Sequence, residues 1–294
     1  MKLISPVLRQ VIGKEELPSP SEKIKLGREI GRYRLMLKRY NVGEIKFALA
    51  DLLIGRGEAG DYSEAMKLFN EILGSRPKGY LLAKTLVGMA ELAMGSKSRK
   101  EVAAALRACD KTFKILKRDY HSFFGGKAIV VKAELLVKRG AKGDRAKAFH
   151  LFDTILKEPV HWYCRARALV GKAELLEYWK PAQFSEGVDL CERALKLLKS
   201  RPHDYFDTKA QVIEAELRIK RNRTGDLDRA KALCQKVASD PLSHKDLAAR
   251  AKLDLAEISM RAQAREHTLE VLEMEGLDPY IIKKARAIAQ ALRA

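Results

Sequence analysis

Small and apolar residues recur along this chain at the spacing of a buried helix face, and that face returns about every 41 residues. A short triplet of Ala, an acid and Leu or Ile marks each return. It stands at Ala50-Asp51-Leu52, Ala90-Glu91-Leu92, Ala133-Glu134-Leu135, Ala173-Glu174-Leu175, Ala215-Glu216-Leu217 and Ala256-Glu257-Ile258. The steps are 40, 43, 40, 42 and 41 residues. Three residues before each anchor alanine stand Phe47, Val87, Val130, Val170, Val212 and Leu253, all apolar. Five before it stand Ile45, Thr85, Ala128, Ala168, Ala210 and Ala251. These positions share one side of a helix, here called helix A.

A turn and a second helix follow. Gly60-Asp61, Gly143-Asp144 and Gly225-Asp226 mark three of the turns. Glycine ends a helix in the left-handed conformation, and Asp is expected to cap the next helix. Four residues after each Asp comes Ala65, Ala148 or Ala230, and four later Phe69, Phe152 or Cys234. Cys109 and Cys191 hold the same column in the second and fourth copies. These positions form the apolar stripe of helix B. The column makes Cys109, Cys191 and Cys234 core thiols; with Cys164, the four cysteines show no C-x-x-C pair and no metal-ligand spacing.

Gly60-Asp61-Tyr62, Ala65, Phe69 and the later Pro77 resemble the second helix of the tetratricopeptide repeat. The likeness extends over residues 41 to 275, with the Sel1-like repeat close behind in pattern. Two departures stand out: the period exceeds that family's usual 34, and helix A lacks the family's large aromatic at its usual place. The resemblance implies an all-α, right-handed superhelix of about six helical hairpins, a binding role and no catalytic residue. Residues 1–40 then form a basic N-terminal cap, 41–275 the six hairpins, and 276–294 a C-terminal capping helix that starts at Asp278-Pro279 and runs from Tyr280 to Leu292. That family's clamp for a C-terminal carboxylate uses Asn and Lys in helix A. Here the asparagines are Asn41, Asn70 and Asn222 only, and the matching positions are largely alanine, so no such clamp is expected.

Charge adds a further layer. The net charge is +19. Residues 83–165 carry eighteen bases against eight acids, and residues 1–43 ten against four. Local runs stand at Lys97 to Lys100 and Lys138 to Lys147. Such an excess points to an acidic protein, nucleic acid or an anionic surface. No apolar run approaches the ~18 residues of a membrane span, and Met1 to Gly13 does not read as a signal peptide. A cytoplasmic setting is the expectation.

Three columns outside the core complete the pattern. Ten residues before the anchor stand Tyr40, Tyr80, Phe123, Tyr163 and Tyr205, with Asp246 breaking the series. Six before it stand Lys84, Lys127, Arg167, Lys209 and Arg250, with Glu44 breaking that one. One after it stands the acid of the triplet. All three fall within about 40° on a helix. Two readings follow. Tyr80, Lys84, Phe123, Lys127, Tyr163, Arg167, Tyr205, Lys209 and Arg250 contact a partner along the helix-A surface, an acidic or extended protein segment first and RNA or DNA phosphates second. Alternatively each base pairs with the acid of the next copy, and the rings wedge between hairpins.

No motif asks for a cofactor or an enzyme. Gly55 to Gly60 spells G-x-G-x-x-G, but it follows helix A rather than a strand. Asn222-Arg223-Thr224 is a glycosylation sequon in a chain with no export signal. The six histidines read as scattered, none beside an evident nucleophile and acid. No metal site is expected.

Overall fold

The computed structural model describes residues 20–273 apart from 59, 118, 120, 180, 200–204, 241 and 242, together with 282, 283, 286, 287 and 289. The expected C-terminal start at Asp278-Pro279 and the ends of that helix, Tyr280 and Leu292, lie outside the described residues, as does most of the basic segment before Pro20.

Among the described residues the chain is a stack of α-helices with no strand. Helix α1 (Pro20–Tyr40) opens it. Five hairpins follow: α2 (Gly43–Arg56) with α3 (Asp61–Gly74), α4 (Gly79–Leu92) with α5 (Arg99–Ile115), α6 (Phe123–Arg139) with α7 (Asp144–Lys157), α8 (Trp162–Trp179) with α9 (Phe184–Leu198), and α10 (Tyr205–Arg221) with α11 (Asp226–Ser239). Helix α12 (Lys245–Glu273) closes the described stack. The members of each hairpin pack on each other, and each B helix packs on the A helix that follows. Successive A helices also touch, whereas successive B helices meet through the A helix between them. The layer whose members touch is the tighter layer of a curved stack, so the A helices form its inner side.

The core follows the columns. Phe47, Val87, Val130, Val170 and Val212 are all buried, as are Phe69, Cys109, Phe152, Cys191 and Cys234 of helix B. Cys164 is buried too, and all four thiols are free. Burial pushes the Cys109 and Cys234 thiols up to about 12 and raises Cys191 well above its ordinary value. These are inert core sulfurs.

The sixth copy departs from the hairpin pattern. Its two halves run as the single helix α12, and its column residue Leu253 is 71% exposed. The stretch from Ser259 to Arg265 holds no glycine, proline or Gly-Asp pair to end the helix, and its Met, Ala, Gln and Arg residues favour continuation. With no following hairpin among the described residues, nothing there packs over Leu253.

Three turns share one construction that differs from simple capping. Gly60, Gly143 and Gly225 take left-handed φ of 89°, 83° and 80°, a region that suits glycine. The following Asp does not cap helix B. The arginine ending helix A grips it through both carboxylate oxygens: Arg56 on Asp61, Arg139 on Asp144 and Arg221 on Asp226, at 2.6–2.9 Å. A backbone N–H three residues earlier, from Glu58, Ala141 or Arg223, donates to the same carboxylate. Gly57 and Gly140 at φ 65° and 63°, and Asn222 at 50°, supply the left-handed step that ends helix A. The G-x-G-x-x-G run at residues 55–60 is therefore a helix-to-helix turn, with no role in phosphate binding required to explain its glycines.

Candidate interaction surface

The base and acid columns of helix A meet across copies. Lys84 of α4 pairs with Glu44 of α2. Lys127 lies 2.8 Å from Glu91, Lys209 2.7 Å from Glu174, and Arg250 2.6 Å from Glu216. Arg167 reaches two copies at once, 2.7 Å from Glu134 and 2.5 Å from Glu91. Lys127, Arg167, Lys209 and Arg250 thus meet the triplet acid of the preceding copy, where the sequence suggested the next one, while Lys84 meets Glu44, the acid that breaks the base column in the first copy. Long Lys or Arg and Glu side chains together span the seven-residue stagger, about 10 Å along a helix. Lys84, Lys127 and Arg167 are only 3% exposed. In this structure their head groups face neighbouring copies.

The electrostatic setting of the acids differs along the ladder. Burial pushes the Glu91 carboxyl up, but the charges and hydrogen bonds of Lys127 and Arg167 outweigh it and hold the group at about 2. The other end of the ladder behaves in the opposite way. Burial pushes Glu216 up to about 7 even though Arg250 grips it, and nearby Glu177 adds to the rise. Asp254, beside the Cys234 thiol, is pushed by burial up to about 6. One oxygen of Glu177 is buried with no hydrogen-bond partner among the described residues.

The aromatic column forms a second ladder. Phe47, Phe124, Phe123, His161, Trp162, Tyr163, Phe206, Tyr205 and His244 follow one another with ring centroids 5.0–5.9 Å apart. Most contacts are edge to face, the favoured aromatic geometry. Ladder cations sit over the rings: Lys84 4.3 Å from Phe47, Lys127 5.5 Å from Phe123 and Arg167 4.6 Å from Phe206. Tyr163 is buried, and Phe123 and Tyr205 are partly so.

Four of the six histidines share a column. Twelve residues before the anchor stand Lys38, Lys78, His121, His161, His203 and His244. His203 lies outside the described residues. The His161 ring meets Phe123 of the copy before it, and the His244 ring meets Tyr205 of the copy before it. The signal that finds this column is the same recurrence that found the others.

Charge left over by the ladders lies elsewhere. Lys100, Arg107, Lys111 and Lys114 are exposed on α5 and carry no ion pair among the described residues. At ~100° per residue they fall within an arc of about 60°, opposite the buried Val102, Ala105, Leu106, Cys109 and Thr112. Exposed Lys142, Arg145, Lys147 and Lys157 add to it around α7. A cleft of about 260 Å³ between α7, α8 and α9 is crossed by Lys172, which bridges Asp153 at 2.8 Å and Glu186 at 2.9 Å.

No protein-family model matches the chain. No curated protein matches it. Among solved structures, it is similar to the chain described as "Crystal Structure of the Yeast Tom70", at 13% identity and a TM-score of 0.43. That match covers 95% of this chain and 61% of the other, so this chain spans about three fifths of its length. Among the described residues, no helix is long and apolar enough to cross a membrane, and no group of three potential metal ligands occurs.

Proposed function

We propose that this chain is a non-enzymatic helical-repeat scaffold that holds an acidic, extended segment of a protein partner. The carrying observation is where positive charge remains once internal pairing is complete. The helix-A bases are tied to acids inside the stack, so the surplus stands on outward faces, above all the unpaired stripe of Lys100, Arg107, Lys111 and Lys114. An acidic segment meets that surplus with steered association and strong salt dependence. Of the helix-A columns, the members open to a partner are Tyr80 and the partly exposed Phe123, Tyr205, Lys209 and Arg250; Lys84, Lys127 and Arg167 act on a partner by keeping successive copies in register.

A second reading, binding of RNA or DNA phosphates, has its own support in the regular spacing of the α5 stripe along one helix face. The test is affinity capture by the full chain from its host, with and without nuclease, followed by crosslinking through lysines. Acidic peptides crosslinked to Lys100, Lys111 or Lys147 after nuclease digestion are the expected result. Loss of all captured material on digestion overturns the protein reading in favour of the second one.

A further inference from the structure

The aromatic column is covered in the later copies and bare at its start. Tyr163 is buried, while Tyr40 is 57% and Tyr80 49% exposed. The histidine column accounts for part of the difference. Phe123 and Tyr205 each receive the edge of a histidine ring from the next copy. The residue that would cover Tyr40 is Lys78, which has no ring to offer. His121 holds the corresponding place for Tyr80, but its ring lies 3.1 Å from the Pro159 carbonyl oxygen instead, and Tyr80 keeps one edge contact, with Phe124 at 5.5 Å, and is half exposed.

The two tyrosines stand at adjoining helix ends. Tyr40 closes α1 after Lys38 and Arg39, and Val42 leads on into α2; Tyr80 stands in the first turn of α4, after Arg76 and Lys78 in the turn before it. The starts of α2 and α4 touch, since a side chain added at Gly43 would meet Leu81 at 2.9 Å, and Glu44 pairs with Lys84 just inside. Lys38, Arg39, Arg76 and Lys78 are exposed and carry no ion pair among the described residues. Val42, between Tyr40 and the start of α2 in the chain, is exposed as well. The rim thus combines two open aromatic faces, one aliphatic side chain and four uncompensated cations. The nearby acid, Glu44, is already paired.

We infer that this rim, at the N-terminal ends of α2 and α4, is a docking surface for an extended acidic peptide segment bearing aromatic side chains. The segment's rings would take the place that the next copy's histidine fills at Phe123 and Tyr205, and its carboxylates would meet Lys38, Arg39, Arg76 and Lys78. Aromatic anchors flanked by charge-assisted contacts carry most of the energy of such interfaces. The inference rests on the scaffold reading above and deepens it by naming a surface and a partner chemistry.

The test uses the full chain and three labelled probes: a Glu/Asp-rich peptide with two phenylalanines, the same peptide with serines in their place, and an oligothymidylate of equal charge. The protein forms are the wild type, Tyr40→Ser with Tyr80→Ser, Lys78→Glu, and Lys100→Glu with Lys111→Glu on α5. The substituted side chains are exposed, so helicity and melting temperature serve as folding checks. The wild type is expected to bind the phenylalanine peptide about tenfold more tightly than the serine peptide or the oligothymidylate, with the tyrosine variant losing that advantage, a factor worth ~1.4 kcal/mol. Lys78→Glu is expected to weaken it several-fold. Peptide binding within twofold of wild type in the tyrosine variant overturns the inference, and so does tighter binding of the oligothymidylate lost in the same variant. Binding weakened only by the α5 substitutions leaves the scaffold reading standing and removes the rim. Binding of neither peptide by the wild type removes both.

Discussion

The odd and even copies solve the same packing problem with opposite parts. In the first and third copies a phenylalanine of helix B, Phe69 or Phe152, points at the next copy's helix A, and that helix carries Gly88 or Gly171 where it lands. In the second and fourth copies helix B offers Cys109 or Cys191, and the next helix A carries Val131 or Ile213. Large meets small at one interface and small meets large at the next. The fifth copy varies the theme, with Cys234 beside Asp254. The turns alternate as well. Odd copies use the Arg–Asp grip, while even copies turn through short 3₁₀ segments at Ala93–Gly95 and Pro181–Gln183. A close-packed interior needs complementary volumes, and two different pairs of side chains satisfy that need equally well.

The largest effect is expected where the odd interface loses its ring. Phe152→Ala should cost about 3–5 kcal/mol in denaturant unfolding, while Cys191→Ala at the even interface should cost about 1–2, since fewer buried atoms are removed. Equal losses at the two sites would break the comparison. Next comes Gly88→Ala. A methyl there would stand 2.6 Å from the Phe69 ring, so overpacking of about 1–3 kcal/mol should exceed the ~1 kcal/mol that Ala gains over Gly in a helix. Pairing Gly88→Ala with Phe69→Leu should recover part of the loss, as a double-mutant cycle would record.

A smaller effect is expected at the turns. Asp144→Asn weakens the grip of Arg139, which is partly exposed, and should cost about 1–2 kcal/mol. The same grip gives a pH signature. The Arg56, Arg139 and Arg221 hydrogen bonds help hold Asp61, Asp144 and Asp226 below their ordinary values, with burial opposing them. Their contribution is present above the unfolded carboxylate range, near 3.9, and is lost as pH falls through the lower folded values. Amide exchange should therefore open the odd turns before the 3₁₀ turns as pH drops below about 4.

The smallest effect should appear at the junction of the fifth copy and α12, with the opposite sign. Burial lifts Glu216 to about 7 and Asp254 to about 6. Stability linked to these groups is full below their unfolded values, near 4.3 and 3.9, and is lost as pH rises through the folded ones. Exchange in α10 and α12 should quicken between pH 5 and about 8 while the Glu91 region stays protected. Glu216→Gln should flatten that dependence.

Much of this architecture was legible in the chain alone. The recurrence of small residues placed every helix A, and the column of Phe and Cys marked the buried side of helix B, because burial selects apolar residues at a period the helix imposes. The sixth hairpin expected from the recurrence is instead the single helix α12, and the signal for it is the run without a breaker from Ser259 to Arg265. The Arg–Asp grip replaced the capping role expected of each turn Asp, and its signal is an arginine five residues before that Asp. What stayed hidden was the fate of each charge. Lys127 and Lys111 are alike as residues, yet Lys127 lies buried against Glu91 and Lys111 faces outward without an ion pair. Likewise Tyr163 and Tyr40 share a column, and only one has a neighbour to cover it. Helix formation depends on local pattern, so sequence determined the elements and their buried faces. The ladder ion pairs join residues 33 to 76 positions apart, from Arg167 with Glu134 to Arg167 with Glu91, and rings such as Phe123 and His161 are as distant in the chain, so only the stacking of copies decided which side chains are spent inside and which remain for a partner.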